Sequence, residues 1–402
     1  MCNEFLRQPG LMRCLLAVMW LSAGVAHADD RLQLHGYLSQ TAVHTSDNNF
    51  GGKSSSGVAW DIRELGANLS YRPDADWLIS GQALARWAGE MDDGEPRIDY
   101  AFVERSVLNA EDSRLKLMVG KIKNPYGLYN ATRDVSHTRP GVLMPQAVYL
   151  DRMRNFFLAA PGASIRGEHE ADRYSVNWQL SGMRMEADDP ELKYLFAPLP
   201  FNTAESLGTF KGSGSWLGQV MVDVDGGKWK AGLSFGEVAM KYQSSGLPFP
   251  LDHADGKVRL VPVTLSLQQN GERLSLTAEY TRARMVNELY NDTTTVEGWY
   301  AQATWRFSPH WEGWLRHESL YFNKDDKRGS RYLLLGLEPV LGNSQAWVMG
   351  VRYDPTPQWS ISAEAHRVSG AAMLSPQDNL GPIGSRFTRD WDMFLLQATY
   401  RF

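Results

Sequence analysis

Thiols are almost missing from this chain, and long apolar runs are missing altogether past its start. Both cysteines, Cys2 and Cys14, lie within the first 28 residues. With that segment removed, no disulfide, Cys-ligated metal site or thiol nucleophile remains. Beyond it no run of about 18 apolar residues occurs, so no helix is expected to cross a bilayer. A strong charge of either sign is also lacking: 41 basic residues against 46 acidic give −5. So mild a balance gives no reason to expect nucleic acid as a partner. Neither a phosphate-binding glycine loop nor a paired-His zinc motif occurs, and no metal or cofactor is expected.

The opening segment reads as a secretion signal. Leu15 to Val25 is apolar, follows Arg13, is too short to span, and runs into Ala26-His27-Ala28, an A-x-A cleavage pattern. Cleavage there leaves residues 29–402, with 39 basic residues (41 less Arg7 and Arg13) and 45 acidic (46 less Glu4), a net −6. Met12 serves equally well as the start of a shorter signal. Cys14 stands at the beginning of the apolar run, not its end, which argues against a lipid-modified terminus. No fixed repeat, low-complexity tract or linker interrupts 29–402, which reads as one domain.

What the chain has is aromatics, glycine and alternation: 14 Trp, 16 Tyr and 36 Gly. Segments of about ten residues, the length of a tilted membrane-crossing strand, alternate with period two. Phe394, Leu396, Ala398, Tyr400 and Phe402 share one face against Gln397, Thr399 and Arg401. Leu274, Leu276, Ala278 and Tyr280 oppose Arg273, Ser275, Thr277 and Glu279, and Trp359, Ile361, Ala363 and Ala365 oppose Ser360, Ser362, Glu364 and His366. A soluble sandwich alternates too. The difference lies at the strand ends. Aromatics crowd every second, short connection: Tyr71 and Trp77 around Arg72-Pro73-Asp74-Ala75-Asp76, Trp229 after Asp225-Gly226-Gly227-Lys228, Phe307 and Trp311 around Ser308-Pro309-His310, Tyr353 and Trp359 around 354–358. Rings at one rim are what a headgroup boundary requires.

The alternate connections are long and polar: about 46–57, 89–96, 124–162, 186–212, 243–255, 286–293, 322–344 and 368–389. Eight long loops and seven short turns predict a transmembrane antiparallel β-barrel, all-β, of about 16 strands, with long extracellular loops and short periplasmic turns. The fourth strand alternates poorly. Tyr332-Leu333-Leu334-Leu335 reads as a further strand if a hairpin is hidden there, making 18 the alternative.

In its signal, its alternation, its long third loop and its final Tyr400-Arg401-Phe402, the chain resembles the Gram-negative outer-membrane porins. Val119-Gly120-Lys121-Ile122-Lys123-Asn124-Pro125-Tyr126-Gly127-Leu128-Tyr129 is similar to the start of the third loop in porins of the phosphate-selective type. Their basic substrate ladder finds no position-by-position match here, so phosphate specificity does not transfer. The resemblance implies a bacterial outer-membrane location among lipids and lipopolysaccharide, and passive diffusion of small polar solutes or ions. It implies that Tyr400 and Phe402 form the signal read by the barrel-insertion machinery, and it allows a homotrimer.

Sixteen strands enclose an aqueous lumen unless something narrows it. The third loop combines apolar anchors (Tyr126, Leu128, Tyr129, Leu143, Met144, Tyr149, Phe156, Phe157) with Arg133, Asp134, Arg139, Asp151, Arg152 and Arg154. It is therefore expected to fold inward, its arginines forming a positive constriction; the competing expectation is that these charges pair and merely brace the loop. By parity the pore wall includes Lys116, Arg166, Arg306, Arg316 and Arg352, with Arg72, Arg86, Lys230 and Arg273, against Glu64, Glu168, Glu279, Glu312, Glu318 and Glu364. That count leans basic, hence weakly toward anions, although one register error would flip a strand.

The alternative function is an outer-membrane lipid or lipopolysaccharide hydrolase, which needs a Ser-His-acid relay. Of the strand histidines His35, His317 and His366, only His317, beside Ser319 on the lipid face, is placed for a lipid substrate. A receptor with an internal plug is not expected, since no soluble domain precedes the first strand. Asp223-Val224-Asp225-Gly226-Gly227 lacks the later Glu of a calcium loop and reads as a hairpin turn. Asp252-His253-Ala254-Asp255 reads as a solvated loop tip before it reads as a cation site. Asn291-Asp292-Thr293 fits a glycosylation acceptor that means nothing in a bacterial setting.

Overall fold

A computed structural model describes residues 31–199, 207–379 and 387–402. The expected signal, 1–28, lies outside these residues. Seventeen segments pair antiparallel into one sheet. They are β1 (Leu32–Thr45), β2 (Ala59–Tyr71), β3 (Trp77–Trp87), β4 (Arg97–Asn109), β5 (Ser113–Lys123), β6 (Ala159–Glu170), β7 (Tyr174–Arg184), β8 (Thr209–Gly212) and β9 (Gly214–Val224). Then follow β10 (Trp229–Gln243), β11 (Gly256–Asn270), β12 (Leu274–Asn287), β13 (Asp292–Ser308), β14 (Trp311–Tyr321), β15 (Asn343–Thr356), β16 (Trp359–Gly370) and β17 (Asp390–Arg401). β8 and β9 both pair along β10 and part at Ser213, so they are two pieces of one strand and the barrel has sixteen. β1 pairs with β2 on one side and β17 on the other, which closes the barrel.

Alternation decides which way each side chain faces. On β11, Leu265 is 55% exposed while its neighbours Thr264 and Ser266 are buried. A large apolar side chain outside and a hydroxyl inside is the inverse of a soluble protein, and it is what lipid on the outer wall demands. Rings mark both edges of the outer belt. Trp311 stacks on Tyr353 at 4.5 Å and Trp359 lies 5.0 Å from Tyr400 at the end holding the termini. Farther up, His317 lies between Trp299 and Trp347, at 5.2 and 4.5 Å.

Most connections fall as expected. Asp225, Gly226 and Gly227 all take positive φ in the β9–β10 turn, a conformation that favours glycine at the last two positions. Four expectations need correction. Residues 332–335 do not form a strand: Ser330–Leu334 is a short helix, braced by Asp326 accepting from the Ser330 and Arg331 amides. The connection expected over 286–293 shrinks to 288–291, because β12 and β13 pair out to Asn287 and Asp292. The third loop ends at Leu158, not Gly162, since β6 begins at Ala159. Asp252 and His253 are not a solvated tip: Asp252 is fully buried and accepts from the Ser245 amide at 2.6 Å, the His253 amide at 2.8 Å and the Tyr242 hydroxyl. Their own loop therefore uses up that carboxylate, and no metal-binding group of His, Cys, Asp and Glu occurs among the described residues. The fourth strand, weak in pattern, forms with irregular pairing at both flanks.

Candidate functional site

Residues 124–158 leave β5 and cross the lumen. Gly127 starts the crossing at φ +57, where a Cβ would come within 2.2 Å of the Tyr149 hydroxyl. Three inward glutamates of the wall then catch the loop backbone. Glu279 accepts from the Leu128 amide at 2.9 Å, Glu318 from Gln146 at 3.0 Å and Glu364 from Leu143 at 3.2 Å. Glu279 also takes the hydroxyls of Tyr149 (2.6 Å), Tyr300 (2.8 Å) and Ser266 (2.6 Å). Donors of the wall reach loop carbonyls in return: Gln219 to Gly127 at 2.8 Å, Gln302 to Pro140 at 2.9 Å, Arg352 to Arg139 at 2.9 Å, and the Tyr37 hydroxyl to Asp134. A loop has orphan amides and carbonyls, and burying it demands that the barrel supply their partners. This barrel does so from strands on both sides of the lumen.

The residues expected to form the constriction gather on the β2–β4 side of the loop, and nearly all are paired. Arg139 holds Glu64 at 2.8 Å, Arg154 holds Asp99 at 2.7 Å, and Arg86 of β3 meets Glu64, Asp92 and Asp151. Arg152 turns upward, to Glu191 at 2.6 Å and the Ala372 carbonyl at 3.2 Å. Asp134 binds Lys123 of the adjoining β5 at 2.8 Å. Burial pushes the Asp92 carboxyl up, but Arg86 and Arg97 outweigh it and hold it down at about 2. Arg133 differs. Only 3% exposed, it donates to the Tyr149 carbonyl at 3.1 Å and makes no ion pair among the described residues. Burial pulls it down to about 10, Asp151 opposing and Arg154, Arg139 and Arg86 adding to the effect.

Of the wall residues, Lys116 lies between Glu104 (3.7 Å) and Glu168 (3.5 Å), and Arg166 reaches Glu168 at 3.3 Å. Arg316 lies 3.3 Å from Glu318 and Arg352 3.1 Å from Glu312. Arg306 faces the lumen at the turn end, exposed and without an ion pair among the described residues. Sequence reasoning missed the acceptors Asp92, Asp99 and Glu191, which come from two other loops and the start of β4. Their acidity was visible; their convergence on the third loop was not.

The loop divides the lumen. On the turn side a cavity of about 460 Å³ is lined by Lys123, Arg166, Lys230, Asp223 and Gln179. On the loop side a cavity of about 340 Å³ is lined mostly by apolar groups. Tyr126 borders both, stacked on Phe157 at 5.4 Å and bonded through its hydroxyl to Thr281 and the Val148 carbonyl.

Solved structures share this architecture. A loop-deletion mutant of OmpT, an outer membrane protein of Vibrio cholerae, aligns over 92% of this chain and 99% of its own, with a TM-score of 0.56 and 11% identity. The outer membrane channel DcaP of Acinetobacter baumannii aligns over 92% and 97%, with a TM-score of 0.57 and 13% identity. The anion-selective porin from Comamonas acidovorans aligns over 92% and 99%, with a TM-score of 0.56 and 10% identity. No protein-family model and no curated protein sequence matches the chain. Identities this low speak for architecture alone, and with the inward third loop and the apolar belt they establish that the chain has the fold of the outer-membrane porins.

Proposed function

We propose that this chain is a porin of a bacterial outer membrane, passing small polar or charged solutes by passive diffusion with a weak lean to anions. The observation that carries the reading is the third loop: it crosses the lumen and is fastened to the wall, with a cavity on each side of it. A passage of that form is narrow and poorly screened, so fixed charges in it select. Of Arg133, Arg139, Arg152 and Arg154, the last three are answered by carboxylates, which leaves Arg133 as the principal source of positive field. Arg306, exposed at the turn end without an ion pair among the described residues, extends it.

The surroundings fit the same reading. Lys211, Lys241 and Lys257 stand directly opposite one another across β8, β10 and β11, exposed on the outer wall near the loops, and Arg259, Arg282 and Arg284 are exposed nearby on β11 and β12. None makes an ion pair among the described residues, so they suit the phosphates of lipopolysaccharide. A hollow in the outer wall at Gly313 and Gly350 suits a second copy, and one related barrel is described as a trimer form. At the closing seam Phe402 exchanges both backbone hydrogen bonds with Gly36 at 3.0 Å, consistent with an aromatic terminus used in assembly. The hydrolase alternative gains nothing from His317, whose ring is held between two tryptophans, or from His366, buried against Glu364 at 3.0 Å.

Planar-bilayer recording in unequal KCl tests the proposal. Steady ohmic conductance with a reversal potential on the anion-selective side is expected, and its lean should shrink in Arg133→Gln. Absence of conductance from folded, inserted protein would overturn the porin reading.

A further inference from the structure

The loop-side cavity is out of character for a water-filled pore. Its wall comes from inward positions of β11 to β14, which in the lower barrel carry Thr264, Ser266, Thr277 and Gln302. In the upper barrel the same face carries Leu260, Pro262, Ala283, Met285, Val296 and Leu320. The parity is unbroken and only the chemistry changes, so the switch lies in the residues and not in a slipped register. A volume of about 340 Å³ falls in the range of small-molecule sites, which are apolar with a few placed polar groups.

One such group stands in the lining. Arg133 borders the cavity, and its single side-chain hydrogen bond among the described residues goes to a carbonyl. Arg139, Arg152 and Arg154 each have a carboxylate within 3 Å. The other charges around the cavity are engaged: Arg331 with Asp292 at 3.0 Å, and Asp326 with the amides of Ser330 and Arg331. Asp151 attracts Arg133 but is itself bonded to Arg86. A buried guanidinium with no carboxylate of its own is costly, and an anion entering beside it relieves that cost.

We infer that the loop-side cavity binds an organic monoanion with an apolar body, its carboxylate on Arg133 and its hydrocarbon against the β11–β14 wall. This deepens the porin reading by naming a solute class, and on that reading the cavity is a binding step ahead of the third loop.

Calorimetry on the protein in lipid nanodiscs, titrated with sodium acetate, butyrate and hexanoate and with hexanol and hexylammonium, tests it. Burying each methylene should tighten binding about fourfold. Hexanoate should bind at least tenfold more tightly than hexanol, and hexylammonium should not bind. Arg133→Met should lower hexanoate affinity at least tenfold and leave hexanol within twofold. Ala283→Trp, which fills the cavity and leaves the arginine, should abolish the gain from acetate to hexanoate, and it keeps the test decisive if the first variant does not fold. Equal affinities along the series, or hexanoate and hexanol binding alike, would overturn the inference. KCl conductance is recorded separately: a conducting channel without hexanoate binding sinks the inference alone, while binding without conductance sinks the porin reading.

Discussion

Glu279 is the single residue on which the third loop leans most heavily. Its two oxygens accept from the Leu128 amide and from three hydroxyls, those of Tyr149, Tyr300 and Ser266. Hydrogen bonds to a charged acceptor are worth roughly 1.5–3 kcal/mol each, and lumen water recovers part of what is lost. Glu279→Ala should therefore loosen the loop at a cost of about 3 kcal/mol while the barrel, closed by backbone pairing, stays folded. Limited trypsin digestion checks this, with new cleavage expected after Arg133 or Arg152 in a protein that keeps its heat-modifiable mobility. Resistance equal to the parent's would show that the other two glutamates suffice. Asp189 supplies a pH-dependent counterpart. It caps the helix Pro190–Phe196 by accepting from the Glu191 amide at 2.8 Å, and burial, with help from Glu191 and Asp92, raises its carboxyl to about 6. An acid whose folded pKa is raised is penalised when ionised, so the penalty grows as pH rises from about 4 through 6. Hydrogen exchange in 190–196 should slow on going from pH 7 to pH 5, after correction for intrinsic rates. Asp189→Asn should keep the cap and lose that dependence.

At the scale of strands, the two faces obey opposite solvents. Leu265 sits well inside β11 and points to lipid, so Leu265→Arg should cost about 2–4 kcal/mol if it lies near the midplane. Thr277 and Ser362, which alternation alone suggests as tolerant lumen positions, are in fact buried and leave no room for a long side chain. Asn177 borders the turn-side cavity and is the better control. Asn177→Arg should be nearly neutral in urea unfolding from lipid vesicles. Comparable losses at both sites would mean that the outer wall does not meet lipid.

Across the whole molecule, the barrel was legible because period two recurs along the strands, and ring placement and loop length recur at alternate connections, so that each corrects the others. The third loop's inward course was legible from its apolar anchors, Tyr126, Leu143, Tyr149 and Phe156, all buried as a lumen-filling loop requires. The fate of its charges was not, because Arg139 meets Glu64 and Arg152 meets Glu191 across 75 and 39 residues of chain, and neighbours in sequence such as Asp151 and Arg152 go to different partners. Nor was the septum legible. It is made where Tyr126 and Phe157, the two ends of one loop, stack between the cavities. Removing one ring should join those cavities, since Thr281, a partner of the Tyr126 hydroxyl, stays fixed in β12 by Thr264 of β11 at 2.8 Å. Tyr126→Ala should raise single-channel conductance severalfold. It should also weaken ion selectivity, because a wider passage admits more screening counter-ions around Arg133. Tyr126→Phe, which keeps the ring and loses only the hydroxyl, should conduct like the parent. If Tyr126→Ala conducts no better than Tyr126→Phe, ions do not pass between these rings. The passage would then have to run along the β2–β4 side, through the ion pairs of Arg86, Arg139 and Arg154.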